Sequence, residues 1–242
     1  MIAIKIEGLT KEYKDVVAVD NLNLEIYEGE LLSLLGVNGA GKTTTIKMLS
    51  CLTTPTYGDA ILLGKSIVSN SLEVKSLIAV SPQETAIAPN LTVKENLQLI
   101  CGAHCFSKEK RIAKINEMTS LLGLKDILDK KASKLSGGWQ RRLSIAMALI
   151  SEPKILFLDE PTLGLDVLAR SDLWDLIKSL KGKITIILTT HYMEEAEELS
   201  DKIAIMKDGK LLLVDSPANI KEQTNTDSIE KAFISIVKGV SK

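Results

Sequence analysis

The chain has 242 residues, 45% of them hydrophobic and 25% charged, which suits one large globular domain or a domain carrying an inserted lobe. Its 30 Lys and Arg against 31 Asp and Glu leave a formal charge of −1. The basic excess of a chain that grips nucleic-acid phosphates is missing, and no nucleic-acid partner is expected. Apolar runs such as "LLSLLG" and "IAMALI" are too short to cross a bilayer, and "MIAIKIEGLTKEY" lacks the basic-then-apolar layout of a secretory signal, so a cytoplasmic location is expected.

In chain order, residues 2 to 34 alternate in short β-like runs that suit an antiparallel lobe. "ELLSLL" then reads as a buried parallel strand and leads into "GVNGAGKTT", which fits G-x-x-x-x-G-K-[ST] ahead of a helix-compatible segment. Gly36, Asn38, Gly39 and Gly41 belong to a loop whose glycines let backbone N–H groups wrap a phosphate without Cβ collisions. Lys42 supplies a point charge at the β- and γ-phosphates, the Thr43 hydroxyl can ligate Mg²⁺, and Thr44 completes the loop.

Three further apolar runs end in polar residues: "LIAVSPQ" in Gln83, "KILFLDE" in Asp159 and Glu160, and "ITIILTTH" in His191. Ligands of open α/β sheets bind outside the carboxyl ends of parallel strands, so four strands deliver a phosphate loop, two acids, an amide and an imidazole to one edge. Asp159 is expected to hold Mg²⁺, Glu160 to polarise an attacking water, His191 to meet the γ-phosphate, and Gln83 to reach the metal or the water.

From about residue 86 to residue 150 the pattern is helical. A capping box, Thr92 to Glu95, opens one helix; "SKEKRIAKINEMTSLLGL" gives another that ends near Gly123. The stretch reads as an inserted helical lobe, and Gln83 just before it could move with its rotation. Cys51, Cys101 and Cys105 are too few for a disulfide framework. Cys101, His104 and Cys105 would share a helix face, but a buried thiol is the commoner reading than a metal site. "LSGGWQRR" places two glycines before a helix, a second anion site. In the tail, Ile229, Phe233, Ile236 and Val237 recur at helical spacing, for packing on the chain's own core or on a second copy.

As a set these motifs resemble the ATP-binding cassette ATPases of ABC transporters. The elements that carry the resemblance run from Tyr13 through the phosphate loop, Gln83, "LSGGW", "ILFLDE" and "LGLD" to His191. The resemblance implies an α/β P-loop core (residues 1–85 and 151–215) with an N-terminal antiparallel lobe, a helical subdomain at 86–150 and a tail at 216–242. It further implies that two copies, or a copy and a paralogous ATPase, pair head to tail, with each ATP between one phosphate loop and the other copy's Ser136 and Gly138. Tyr13 would stack on adenine, and Asp166 would lie at the dimer seam. A separate transmembrane permease would hold the ATPase at the cytoplasmic face. "PTLGLD" and the segment from His191 onward look most like the branch serving ABC-2-type exporters; a soluble ABC ATPase of the iron–sulfur assembly kind is the alternative. Trp139 stands where the family commonly has glutamine.

Overall fold

The structure, a computed structural model, describes residues 1–239. The chain runs β1 (Ile2–Tyr13), β2 (Val16–Tyr27), β3 (Leu31–Leu35), α1 (Lys42–Leu49), β4 (Tyr57–Leu62), β5 (Lys65–Ser66), α2 (Ser71–Leu77) and β6 (Ile78–Ser81). It continues through α3 (Val93–Ala103), α4 (Lys108–Leu121), α5 (Gly137–Leu149), β7 (Ile155–Asp159), α6 (Val167–Leu180) and β8 (Thr185–Thr190). The last elements are α7 (Met193–Leu199), β9 (Lys202–Lys207), β10 (Lys210–Asp215), α8 (Pro217–Gln223) and α9 (Ile229–Gly239). The expected tail extends to residue 242, and 240–242 lie outside the described residues.

Two sheets form. A six-stranded sheet has the order β10-β9-β3-β8-β7-β6, parallel except for β10. The strands at its centre, β3, β7 and β8, are buried along their whole length. Burial on both faces explains their unbroken apolar runs. Alternate residues serve opposite layers: Leu156, Leu158, Ile186 and Leu188 face a core built with α3 to α6, while Ile155, Phe157 and Ile187 face one built with α1 and the second sheet. The helices from α3 to α5 therefore share their core with one face of the main sheet.

The second sheet is antiparallel, order β2-β1-β4-β5. The antiparallel lobe expected over residues 2 to 34 ends at Tyr27 and draws in residues 57–66, while Leu31–Leu35 lies inside the parallel sheet. The Thr92–Glu95 capping box forms on α3. α3 ends at Ala103 and Cys105 sits beyond it at φ +53°, so Cys101, His104 and Cys105 do not share a helix face. Cys101 is buried, Cys105 is exposed, and the described residues hold no metal-binding cluster. α9 packs Ile229 and Phe233 into a small core with Ile203, Ile205 and Ile220, with Ile236 and Val237 at its margin.

Candidate nucleotide-binding site

The parallel register brings the ends of β3, β6, β7 and β8 to one edge of the sheet. There a cleft of about 650 Å³ is lined by Asn38 to Thr44, Gln83, Glu160 and His191, with Val16, Val17, Ala18, Leu163 and Asp208. The loop between β3 and α1 is shaped by close approach. A Cβ on Gly36 would stand 2.6 Å from the Met206 carbonyl oxygen, and one on Gly41, at φ +100°, 2.5 Å from that of Ala18. Only glycine fits at either place. The helix that follows starts at Lys42, so its first N–H groups and the positive end of its dipole face the cleft. Loop and helix start together make a concave anion cradle.

Lys42 is 5% exposed, and its Nζ donates to Gly36 O at 2.8 Å and Val37 O at 3.3 Å. Glu160 Oε1 lies 3.5 Å from the same ammonium. Glu160 itself adopts φ +49°, a left-handed conformation that costs a side-chain-bearing residue energy and recurs at functional sites. Its N–H donates to Thr189 Oγ1 at 2.9 Å, which holds the turn in place. Oε2 of Glu160 stands 2.5 Å from His191 Nδ1. That bond fixes the imidazole and leaves Nε2 as its second hydrogen-bonding atom.

Asp159 lies beneath the cleft. Its Oδ1 accepts from Thr43 Oγ1 at 3.2 Å and from Thr189 Oγ1 at 2.5 Å. The Thr43 hydroxyl and the Asp159 carboxylate are hard oxygen donors side by side at the phosphate cradle, a set that fits Mg²⁺. Glu195, in the first turn of α7, is wholly buried. Burial pushes its carboxyl up from the ordinary value, against hydrogen bonds from Thr190, Thr162 and Trp174, with the Glu160 carboxylate adding to the rise. Thr162 Oγ1 donates to it at 2.8 Å, so the buried acid ties the segment after Glu160 to the helix after His191.

Besides Gly36 and Asp159, which are buried behind the lining, four of the expected residues do not line this cleft. Tyr13 stands 46% exposed at the end of β1, with the Lys11 ammonium 5.0 Å from its ring centre. Asp166 caps α6, accepting from Ala169 N at 2.9 Å. Ser136 and Gly138 open α5 on a different surface. Ser136 occupies the N-cap position, yet its hydroxyl makes no capping bond, and no acid sits in the first turn. A Cβ on Gly138 would come 3.0 Å from the Ala169 Cβ, which seats the start of α5 closely on α6. Next to Trp139, Gln140 Nε2 donates to Ala132 O and Leu135 O, each at 3.2 Å, so an amide does brace this loop from the neighbouring position.

Along most of its length the chain is similar to known proteins. The family model described as ABC transporter covers residues 19–163. The chain belongs to the ABC transporter family. Human phospholipid-transporting ATPase ABCA3 is 42% identical over 91% of the chain, which spans 13% of that protein. Nod factor export ATP-binding protein I of Burkholderia lata is 38% identical over 94% of the chain, which spans 75% of it. Among solved structures, the dimeric post-hydrolysis state of the ATP-binding cassette MJ0796 bound to ADP and phosphate superposes with a TM-score of 0.79. That match has 29% identity and covers 88% of this chain and 98% of the other. The fold is thus that of an ABC ATPase, with its antiparallel lobe and mainly parallel core. Sequence reasoning missed Val16, Val17, Ala18, Leu163 and Asp208 as cleft residues, and Glu195 behind it. Leu163 opens the "LGLD" motif, whereas the others stand outside the motifs and only the folded chain assembles them.

Proposed function

We propose that this ABC ATPase closes head to tail with a second copy or a paralogous ATPase on two ATP and drives export through a separate membrane subunit. The observation that carries the reading is Ser136. It is exposed at the start of a 13-residue helix, its hydroxyl is not spent on that helix, and it lies outside the chain's own cleft. A second anion site of this kind serves another molecule's phosphate, and the dimeric ADP- and phosphate-bound relative supports that use. The named export role of the Burkholderia protein supports the direction. No helix among the described residues is long and apolar enough to cross a membrane, which fits a motor attached at the cytoplasmic face through a partner.

In this reading the adenine meets Tyr13 and the apolar wall of Val16 and Val17, and the loop N–H groups and Lys42 take the β- and γ-phosphates. Thr43, Asp159 and Gln83 would hold Mg²⁺, which when bound neutralises phosphate charge. Glu160 polarises a water for attack on the γ-phosphorus; the bond to the bridging oxygen breaks, ADP leaves, and the water's proton passes to the carboxylate. His191, steered by Glu160, offers Nε2 to the γ-phosphate. The partner's Ser136 and Gly138 complete the phosphate's shell, and Asp166 lines the seam.

Purification of the tagged chain from membranes in mild detergent tests the transport assignment. A polytopic membrane protein is expected to come with it and to stimulate its ATP hydrolysis. Recovery with soluble assembly proteins alone would contradict the reading in favour of a transport-free ATPase.

A further inference from the structure

α5 opens with Ser136 and Gly138, and on its next turn Arg141 turns inward. Arg141 is 4% exposed. Its Nη1 donates to Pro82 O at 2.5 Å and its Nη2 to Gln83 O at 2.6 Å. The guanidinium makes no ion pair among the described residues, so a buried charge is spent on two backbone carbonyls. Burial disfavours that charge, and the Asp159 and Glu195 carboxylates favour it from further off. Three residues along the same helix, Ser144 Oγ meets Ser81 Oγ at 3.0 Å in a buried contact. Residues 81 to 83 are therefore fastened to α5 through side chains on one helix face.

The Gln83 side chain is left exposed at the mouth of the cleft. Its place there is set by its backbone, and Arg141 holds that backbone. A packing role alone does not call for a guanidinium; a planar fork that meets two carbonyls at once does.

We propose that Arg141 is a positioning residue that makes the signature end of α5 and the Gln83 loop move as one body, so that docking of a partner's γ-phosphate on Ser136 and Gly138 sets Gln83 in the chain's own cleft. The inference rests on the head-to-tail reading above and deepens it. The signature motif of each copy then acts on both sites, on the neighbour's through its own donors and on its own through Arg141.

A double-mutant cycle in steady-state ATP hydrolysis by the full chain tests this. Arg141→Lys keeps the charge and can serve one carbonyl, so it disturbs the fold less than Arg141→Met. Arg141→Lys is expected to lower kcat about tenfold with KM within about twofold, and Gln83→Ala to lower kcat at least as much. The double variant is expected to be no slower than Gln83→Ala alone, because residues acting through one another are not additive. Arg141→Met, if it folds, is expected to fall below Arg141→Lys. Losses that multiply in the double variant would overturn the proposal while leaving Gln83 its role. A rise in KM without a fall in kcat would overturn it too. A silent Gln83→Ala would remove Gln83 from the site and the inference with it.

Discussion

Glu160 is held by three contacts at once: its carboxylate lies near Lys42 and on His191, and its N–H is bound by Thr189. Lys42 and Glu160 are both nearly buried, where charges interact far more strongly than in water. Lys42→Ala removes a charge-assisted phosphate contact of about 1.5–3 kcal/mol, so ATP is expected to bind about 10- to 150-fold more weakly, read by equilibrium titration. Affinity within twofold of the parent would show that the lysine does not meet the nucleotide. Glu195 gives a pH signature. Its folded value is raised above the ordinary 4.5, so the folded chain holds the proton more tightly than the unfolded one. The stability this contributes is fully present below the unfolded value and is lost as pH rises through the folded one, at up to about 1.4 kcal/mol per pH unit inside that window. Glu195→Gln is permanently neutral. As pH rises past the ordinary carboxylate value the parent's melting temperature should fall relative to the variant's, and parallel profiles would show that Glu195 is not the titrating group. At this scale the motif residues were legible because their chemistry depends on neighbours in sequence. Glu195, Thr189 and Val16 were not, since each gains its role from a strand or helix far along the chain.

α5 shows what an element adds. Its sequence announced a helix behind two glycines; the helix forms, but it starts at Gly137 and takes both glycines into its first turn. The substitution at Trp139 also becomes intelligible. The ring packs at the edge of the core shared by the helices and the main sheet, 5.1 Å from the Arg142 guanidinium, which in turn reaches Asp172 of α6 at 3.2 Å. Trp139 thus braces α5 against its surroundings, while Gln140 braces the loop before it. Trp139→Gln should cost roughly 0.5–2 kcal/mol of stability by chemical denaturation, through the lost cation–π contact and apolar packing, and leave ATP turnover within about tenfold. A larger fall in turnover with the fold intact would give Trp139 a direct part in nucleotide handling. Strands were readable where both faces are buried, as in β3, β7 and β8. β4 and β5 escaped notice because β4 has exposed residues at its start and β5 is two residues long; pairing with β1 and with each other defines them as strands. The same non-local pairing moved the boundary of the antiparallel lobe.

At the scale of the whole molecule, two candidate anion sites lie on one chain, and the cleft contains only the first. Tyr13, Asp166, Ser136 and Gly138, outside that cleft, would gain a joint purpose in the proposed pair, where a second cassette supplies the other half. The order of motifs made that assembly readable as a family resemblance, whereas the tie from Arg141 to the Gln83 loop emerged only from the folded chain. The central claim is that Ser136 grips the ATP of a neighbour. Glu160→Gln keeps the shape of the site and removes the base, so ATP should bind, persist and stabilise a closed pair by mass action. Size-exclusion chromatography with light scattering is the direct measurement, on Glu160→Gln and on Glu160→Gln with Ser136→Arg, each with and without Mg²⁺ and ATP. The account predicts an ATP-dependent species of twice the 26.4 kDa chain for the first protein. For the second it predicts a monomer that still binds ATP. An ATP-dependent dimer that survives Ser136→Arg unchanged would contradict it.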